Sequence, residues 1–278
     1  MSEWSRDTAW RQGQLLSYDA AAEIGLLHPE FSSDTLVIMA THPCDLAQLP
    51  DKEPQVEVIV GRRIDQLDGN NTHAKSSRTL HLEFEGDEPL LAEFVVTEKR
   101  YFAKDKLTNI EPESCFHLSP ASLATFQIWL ASRYRRSAFP DEFERRMKDS
   151  SLSSKISKII KPLGAMITAI FFDVDEGLEA SKADPNETYL LDIVLLHAVE
   201  PDFDEAEAAA LRAAVKIKQA FKSKLFDEKT GVWKNIELRY VDSVSEDTLT
   251  YRQSQLLKKW RLDHVSLGAE PQQPVLGE

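Results

Sequence analysis

Met166-Ile167-Thr168-Ala169-Ile170-Phe171-Phe172 and Tyr189-Leu190-Leu191-Asp192-Ile193-Val194-Leu195-Leu196 are nearly unbroken apolar runs of strand length. Runs of this kind read as buried strands. Asp204 to Phe226 follows, rich in Ala, Glu and Lys, with Ala209, Ala213, Ile217, Ala220 and Phe221 along one stripe, which predicts a long amphipathic helix. After the turn Asp227-Glu228-Lys229-Thr230-Gly231, Trp233 to Val241 reads as a third strand with Ile236, Leu238 and Tyr240 on one face. Thr250 to Trp260 reads as a closing helix. The expected order over residues 165–267 is ββαβα, and residues 268–278, with two prolines and two glutamines, form an expected mobile tail.

Toward the N-terminus the pattern becomes helical. Ser119-Pro120 is a cap followed by proline at the first helical position, and Leu123, Phe126, Leu130 and Tyr134 recur at helical spacing. Phe143 and Met147 share one face of a second helix, and Ile156, Ile159, Ile160 and Leu163 one face of a third. Residues 118–164 are therefore expected to be a helical connector. Residues 1–117 carry short extended segments instead: Leu36–Ala40, Val56–Val60, the alternating Thr79–Phe84 and residues 90–96, separated by turn chemistry such as Asp68-Gly69-Asn70-Asn71. This predicts a β-rich, partly closed barrel. The fold class is α+β.

The chain has 278 residues, enough for about two domains. With 33 Lys and Arg against 46 Asp and Glu its formal charge is -13, which disfavours indiscriminate binding to polyanions. No apolar run reaches membrane-spanning length, and Cys44 and Cys115 stand in unrelated contexts, so a cytoplasmic protein without a membrane partner is expected. Glycine-rich phosphate loops and zinc spacings are absent from the sequence, and no cofactor is expected.

Three constellations carry chemistry. Thr41-His42-Pro43-Cys44-Asp45-Leu46 follows an apolar strand: Cys44 is a candidate nucleophile, His42 a group to lower its pKa, and Asp45 an orienting carboxylate. The plainer reading makes Cys44 a packing residue and Asp45 a cap. Residues 132–161 hold nine basic side chains against four acidic ones, a net +5 that leaves -18 for the remainder. Arg133, Arg135, Arg136, Arg145 and Arg146 are thus candidates for phosphate or nucleic-acid contact, or for ion pairs with the chain's own acidic surface. Asp173 and Asp192, on neighbouring strands, are weak candidates for a metal, and pairing of Asp192 with Arg239 or Lys234 is the simpler expectation.

Arg11-Gln12-Gly13, Cys44-Asp45-Leu46, Ser132-Arg133-Tyr134-Arg135-Arg136-Ser137-Ala138-Phe139-Pro140-Asp141 and Leu257 to Ser266, in that order, resemble a family of uncharacterised bacterial proteins associated with mobile elements and defence gene neighbourhoods. The resemblance spans most of the chain and carries no activity. The Arg-x-Gly opening is also similar to that of the MazF and PemK toxin barrels, a likeness covering under half of the chain from which no catalytic residue is transferred. What the resemblance implies is a component of a bacterial defence or stress system, and the basic helix points to contact with nucleic acid or a phosphorylated ligand through that segment. The alternative is a non-catalytic adaptor or regulatory subunit that binds a partner protein from the same operon through a patch around Trp129, Tyr134 and Phe139.

Overall fold

The structure, a computed structural model, describes residues 4–132, 134, 139–177, 182, 184, 187–250 and 258–261. The chain divides into two compact units, residues 1–67 with 77–135, and residues 68–76 with 136–278. No helix among the described residues is long and apolar enough to cross a membrane.

The first unit is built on one antiparallel sheet of order β1-β2-β4-β3, from β1 (Thr35–Met39), β2 (Gln55–Arg63), β3 (Thr79–Phe84) and β4 (Leu90–Ala103). Where the sequence leads one to expect a partly closed barrel, the named strands give this four-stranded sheet, and residues 13–16 add backbone hydrogen bonds along the other side of β1. Strand alternation sends Val37, Met39, Val56, Val58, Val60 and Phe102 to one face, where they pack with Trp4, Trp10, Leu16, Leu46 and Leu107. Around this sheet lie α1 (Tyr18–Ile24), the one-turn α2 (Pro43–Leu46) and α3 (Pro120–Ser132), which packs near β3. The Ser119 hydroxyl accepts the Ser122 N–H at 3.1 Å and caps α3. At Gly61 the β2/β4 register shifts; a Cβ there would stand 2.4 Å from the Glu93 carbonyl oxygen, so the bulge requires glycine.

The second unit centres on a sheet of order β10-β5-β6-β9, from β5 (Ile167–Val174), β6 (Tyr189–His197), β9 (Ile236–Ser245) and β10 (Lys258–Lys259). β5 runs antiparallel to β6, and β6 parallel to β9, because α6 (Phe203–Leu225) crosses back between them. The Asp202 carboxylate caps α6 by accepting the Glu205 N–H at 2.9 Å. α4 (Asp141–Asp149) and α5 (Leu152–Ile160) add Phe143, Met147, Leu152, Ile156 and Ile160 to a core shared with Phe172, Tyr189, Ile217 and Phe221.

Three expectations are corrected here. The helices of residues 118–164 are no separate connector: α3 belongs to the first unit, whereas α4 and α5 supply core to the second. The third C-terminal strand starts at Ile236, because Asn235 at φ 66° breaks the run and Trp233 pairs with Phe226 in a small hairpin of β7 (Phe226–Asp227) and β8 (Val232–Trp233). Of the expected closing helix, Lys258–Lys259 are extended and pair with Phe172 and Phe171; this delivers the Trp260 ring onto Phe172, with centroids 4.8 Å apart. Residues 251–257 and the expected tail, residues 268–278, lie outside the described residues.

The segment 68–76, between β2 and β3 in sequence, belongs to the second unit and is tied to it by polar contacts. Asn70 donates to Ser157 Oγ at 2.8 Å, Lys161 pairs with Asp68 at 2.8 Å, and the buried Lys75 ammonium donates to the carbonyls of Gly164 (2.8 Å) and Ile167 (2.7 Å). Gly69 and Gly164 meet back to back, and a Cβ on Gly164 would stand 2.2 Å from the Gly69 Cα.

Candidate functional site

The site begins with α2. Pro43 opens it, and the His42 ring caps it by accepting the Cys44 N–H on Nδ1 at 3.2 Å. One turn of helix leaves its last carbonyls without intrahelical partners. Two buried side chains satisfy them: Lys104 Nζ donates to the carbonyls of Asp45 (2.6 Å) and Gln48 (3.0 Å), and Trp4 Nε1 donates to that of Leu46 (3.0 Å). Burial lowers the Lys104 pKa, opposed by the nearby charges of Glu53 and Asp45. With Leu46 fully buried as the anchor, Cys44 and Asp45 face solvent.

The wall beside α2 is the sheet face opposite the Val56/Val58 core. The register sets Glu57 against Tyr101 and Ile59 against Lys99, so Glu57, Lys99 and Tyr101 share that face. Glu57 is held at both ends: the Thr41 hydroxyl accepts its N–H at 2.6 Å, while its carboxylate receives Tyr101 OH at 2.7 Å and Lys99 Nζ at 2.8 Å. The carboxylate at its hydroxyl, reinforced by desolvation, pushes Tyr101 up to about 12, so the phenol is a neutral donor at physiological pH. From α3, Gln127 donates to Gln12 Oε1 at 3.0 Å, and Gln12 in turn donates to the Ala40 carbonyl at 2.7 Å.

These elements enclose an open cleft of about 760 Å³ within the first unit, a volume typical of small-ligand sites. Its lining includes His42, Asp45, Glu53, Gln55, Glu57, Lys99, Tyr101, Gln127 and Tyr134. Glu57 is balanced by Lys99, whereas the exposed side chains of Asp45 and Glu53 form no hydrogen bond or ion pair with a described residue. Tyr134 is 82% exposed and stands near enough to Tyr101 to influence its ionisation. The described lining is therefore anionic, aromatic and rich in amides.

Two of the segments singled out in sequence converge here. His42 and Asp45 come from one, and Tyr134, from the middle of the arginine-rich motif, comes from the other. Cys44 does not line the cleft, and the His42 nitrogen facing its residue accepts a backbone N–H, so the expected thiol–imidazole pair is not formed. Neither is Cys44 the buried packing residue of the plainer reading: its thiol is free and exposed. Arg133, Arg135 and Arg136 lie outside the described residues.

Arg146 is corrected as a ligand contact. Arg146 is buried and spends every donor: Nε on Glu142 (2.8 Å), Nη1 on the carbonyls of Glu187 (2.6 Å) and Asn235 (3.1 Å), and Nη2 on those of Lys182 (2.7 Å) and Asp184 (3.1 Å). No N–H remains for a phosphate. Arg145, although exposed, sits between Glu142 (2.7 Å) and Asp149 (2.9 Å) on its own helix. Hydrogen bonds from Arg145 and Arg146 pull Glu142 down to about 2.

Asp173 and Asp192 do stand opposite one another across β5 and β6, but both Asp192 oxygens are taken by Arg239, through Nε at 2.9 Å and through Nη2. Among the described residues no group of three or more His, Cys, Asp or Glu is arranged to hold a metal ion. The expected patch also dissolves. Trp129 is buried in the first unit, Phe139 packs on Phe143 and Phe172 in the second, and Tyr134 alone is exposed.

Sequence reading missed Glu53, Glu57, Lys99, Tyr101 and Gln127 as site residues. Glu57-x-Ile59 and Lys99-x-Tyr101 do alternate with strand period, yet only the long-range β2/β4 register puts them on one face. No family model matches the chain, and no curated protein or solved structure is a match for it.

Proposed function

We propose that the chain is a non-catalytic adaptor or regulatory subunit that binds a partner protein in the first unit's cleft. The observation that carries this reading is the convergence of His42, Asp45 and Tyr134 on an open cleft of about 760 Å³ whose described lining pairs no nucleophile with a base. Exposed tyrosines are the side chains that anchor protein interfaces, since they offer a large rigid surface at low entropic cost. The backbone around the cleft is held by Lys104, Thr41 and Gln12, so little ordering is needed on binding.

Contact with nucleic acid or a phosphorylated ligand stands second. It is favoured by one observation, that Tyr134 of the arginine-rich motif reaches the cleft, where it can stack on a base. Against it, Arg146 is consumed inside the fold and Arg145 is paired along its own helix.

A photo-crosslinking amino acid in place of Tyr134, expressed in the native host, separates the readings, with the exposed Val215 of α6 as control. The proposal expects a protein adduct specific to position 134. That protein, purified, should bind the wild-type chain and lose binding to Tyr134→Ala. A nuclease-sensitive adduct would replace this reading with the second, and no adduct specific to position 134 would defeat both.

A further inference from the structure

The remaining cation cluster, around Lys75 and Lys259, spends its donors on carbonyls: Lys75 on Gly164 and Ile167, Lys259 on His73 at 3.3 Å. The cleft of the first unit differs, because it holds side chains with capacity left over. We infer that this cleft receives the guanidinium of an arginine presented by the partner protein, stacked against Tyr134 and Tyr101 and hydrogen-bonded to Asp45 and Glu53. The inference rests on the binding-cleft reading above and names the chemistry that the cleft selects.

Three features of the cleft point to that group. Glu57 is paired with Lys99 and accepts the Tyr101 hydroxyl, so the carboxylates without a hydrogen bond or ion pair among the described residues are those of Asp45 and Glu53. The one buried cation beneath them, Lys104, is committed to the carbonyls of Asp45 and Gln48. Tyr101 and Tyr134 line the cleft and are 57% and 82% exposed, so their rings are accessible to whatever enters. A planar cation on a tyrosine face is attracted by the ring quadrupole, and a guanidinium at the same time donates in a fork that a carboxylate matches.

Charge selects against the other occupants. Among the described lining residues, a phosphate would meet two carboxylates without a hydrogen bond or ion pair and one lysine already paired. An ammonium carries the right charge but is a compact, strongly hydrated ion that neither stacks nor bonds bidentately, so lysine is the weaker ligand. The chain's overall charge of -13 adds a field that draws cationic segments toward it.

The test uses the full chain labelled with 3-fluorotyrosine, read by fluorine NMR during titration with acetyl-Gly-Ser-Arg-Ser-Gly-amide. The same peptide with lysine, with citrulline, which keeps the shape and removes the charge, and a single-stranded oligothymidylate are the comparison ligands. The expected result is a saturable shift for the arginine peptide, weakened about tenfold or more by citrulline and by Asp45→Asn combined with Glu53→Gln, and reduced by added salt. Equal binding of the citrulline peptide overturns the inference. So does tighter binding of the oligonucleotide or of the lysine peptide. If the double variant fails to fold by circular dichroism, the citrulline comparison decides on wild-type protein. Silence of the arginine peptide alongside a specific protein adduct at position 134 would sink the arginine inference and leave the adaptor reading standing; silence together with no adduct would sink both.

Discussion

The two units handle charge in opposite ways. In the second, Arg146 and Lys75 are sunk into the fold and donate to backbone carbonyls of distant segments, and the half-buried Lys259 donates to the carbonyl of His73. In the first, the buried Lys104 does the same for α2, but the layer above it stays open: Asp45 and Glu53 have no described partner, and Tyr134 stands in solvent. A buried ion without hydrogen bonds would cost several kcal/mol, so an interior cation is normally spent on structure. A group left unspent on a preorganised wall is available for a ligand. The contrast supports the proposal that a ligand binds in the first unit.

The sharpest way to break this comparison is Arg146→Met. If the guanidinium is structural, its loss strands four carbonyls and Glu142, and unfolding in urea should show a destabilisation of about 3–5 kcal/mol. Near-wild-type stability together with weakened ligand binding would instead return Arg146 to the list of contacts. The neighbouring Arg145→Ala should leave the denaturation midpoint in place, since its guanidinium is exposed and pairs only along its own helix.

Next in size is Gly61→Ala, which tests the wall of the cleft. The added Cβ meets the Glu93 carbonyl oxygen at 2.4 Å and the Phe94 ring at 2.4 Å, so a loss of about 2 kcal/mol is expected by denaturant titration. A silent substitution would show that the β2/β4 bulge is not as tight as the wall requires.

Lys75 offers a test by pH. Burial first, then the like charge of Lys259, lowers it from 10.5 to about 7. A base with a depressed pKa binds fewer protons in the folded state than in the unfolded chain between those values. Lys75 therefore detracts most from stability below about pH 7, and less as the pH climbs toward 10.5. Relative to Lys75→Met, the wild-type protein should gain stability over that interval. Parallel unfolding profiles for the two proteins across the interval would refute a buried, proton-poor Lys75.

The smallest effects belong to the cleft itself. Tyr134→Ala and Cys44→Ser should leave the thermal midpoint unchanged, because both side chains face solvent. Only Tyr134→Ala should weaken the ligand. A Cys44→Ser variant that keeps its fold and loses function would bring the thiol back into the site.

Legibility in sequence followed the range of the interactions. Met166–Phe172 and Tyr189–Leu196 appear in place as β5 and β6, and Asp204–Phe226 as α6, because continuous apolar runs and an apolar stripe are local signals. Ser119-Pro120 marked the start of α3 for the same reason. The misread segments are those whose conformation is set from elsewhere. Lys258–Lys259 are extended because the β5 edge offers backbone partners and the core accepts Trp260. Asp68-Gly69-Asn70-Asn71 reads as a plain turn, yet the Gly69–Gly164 contact and the nearby Lys75 make residues 68–76 part of the second unit.

The cleft divides in the same way. His42, Asp45 and Tyr134 could be named from residue type and context, since a polar turn after an apolar strand and an exposed aromatic in a charged motif are visible in one dimension. Composition and periodicity alone determined the α+β class, the main strands and the long helix, because backbone preferences and apolar periodicity act over a few residues at a time. Which charges are consumed and which remain free was decided only by tertiary structure: Arg145 and Arg146 are adjacent and chemically identical, but one points along its helix and the other into five acceptors brought together from separate parts of the fold. Burial and hydrogen-bond saturation are properties of the assembled fold, and they separate a cation that holds the protein together from a carboxylate that waits for a partner.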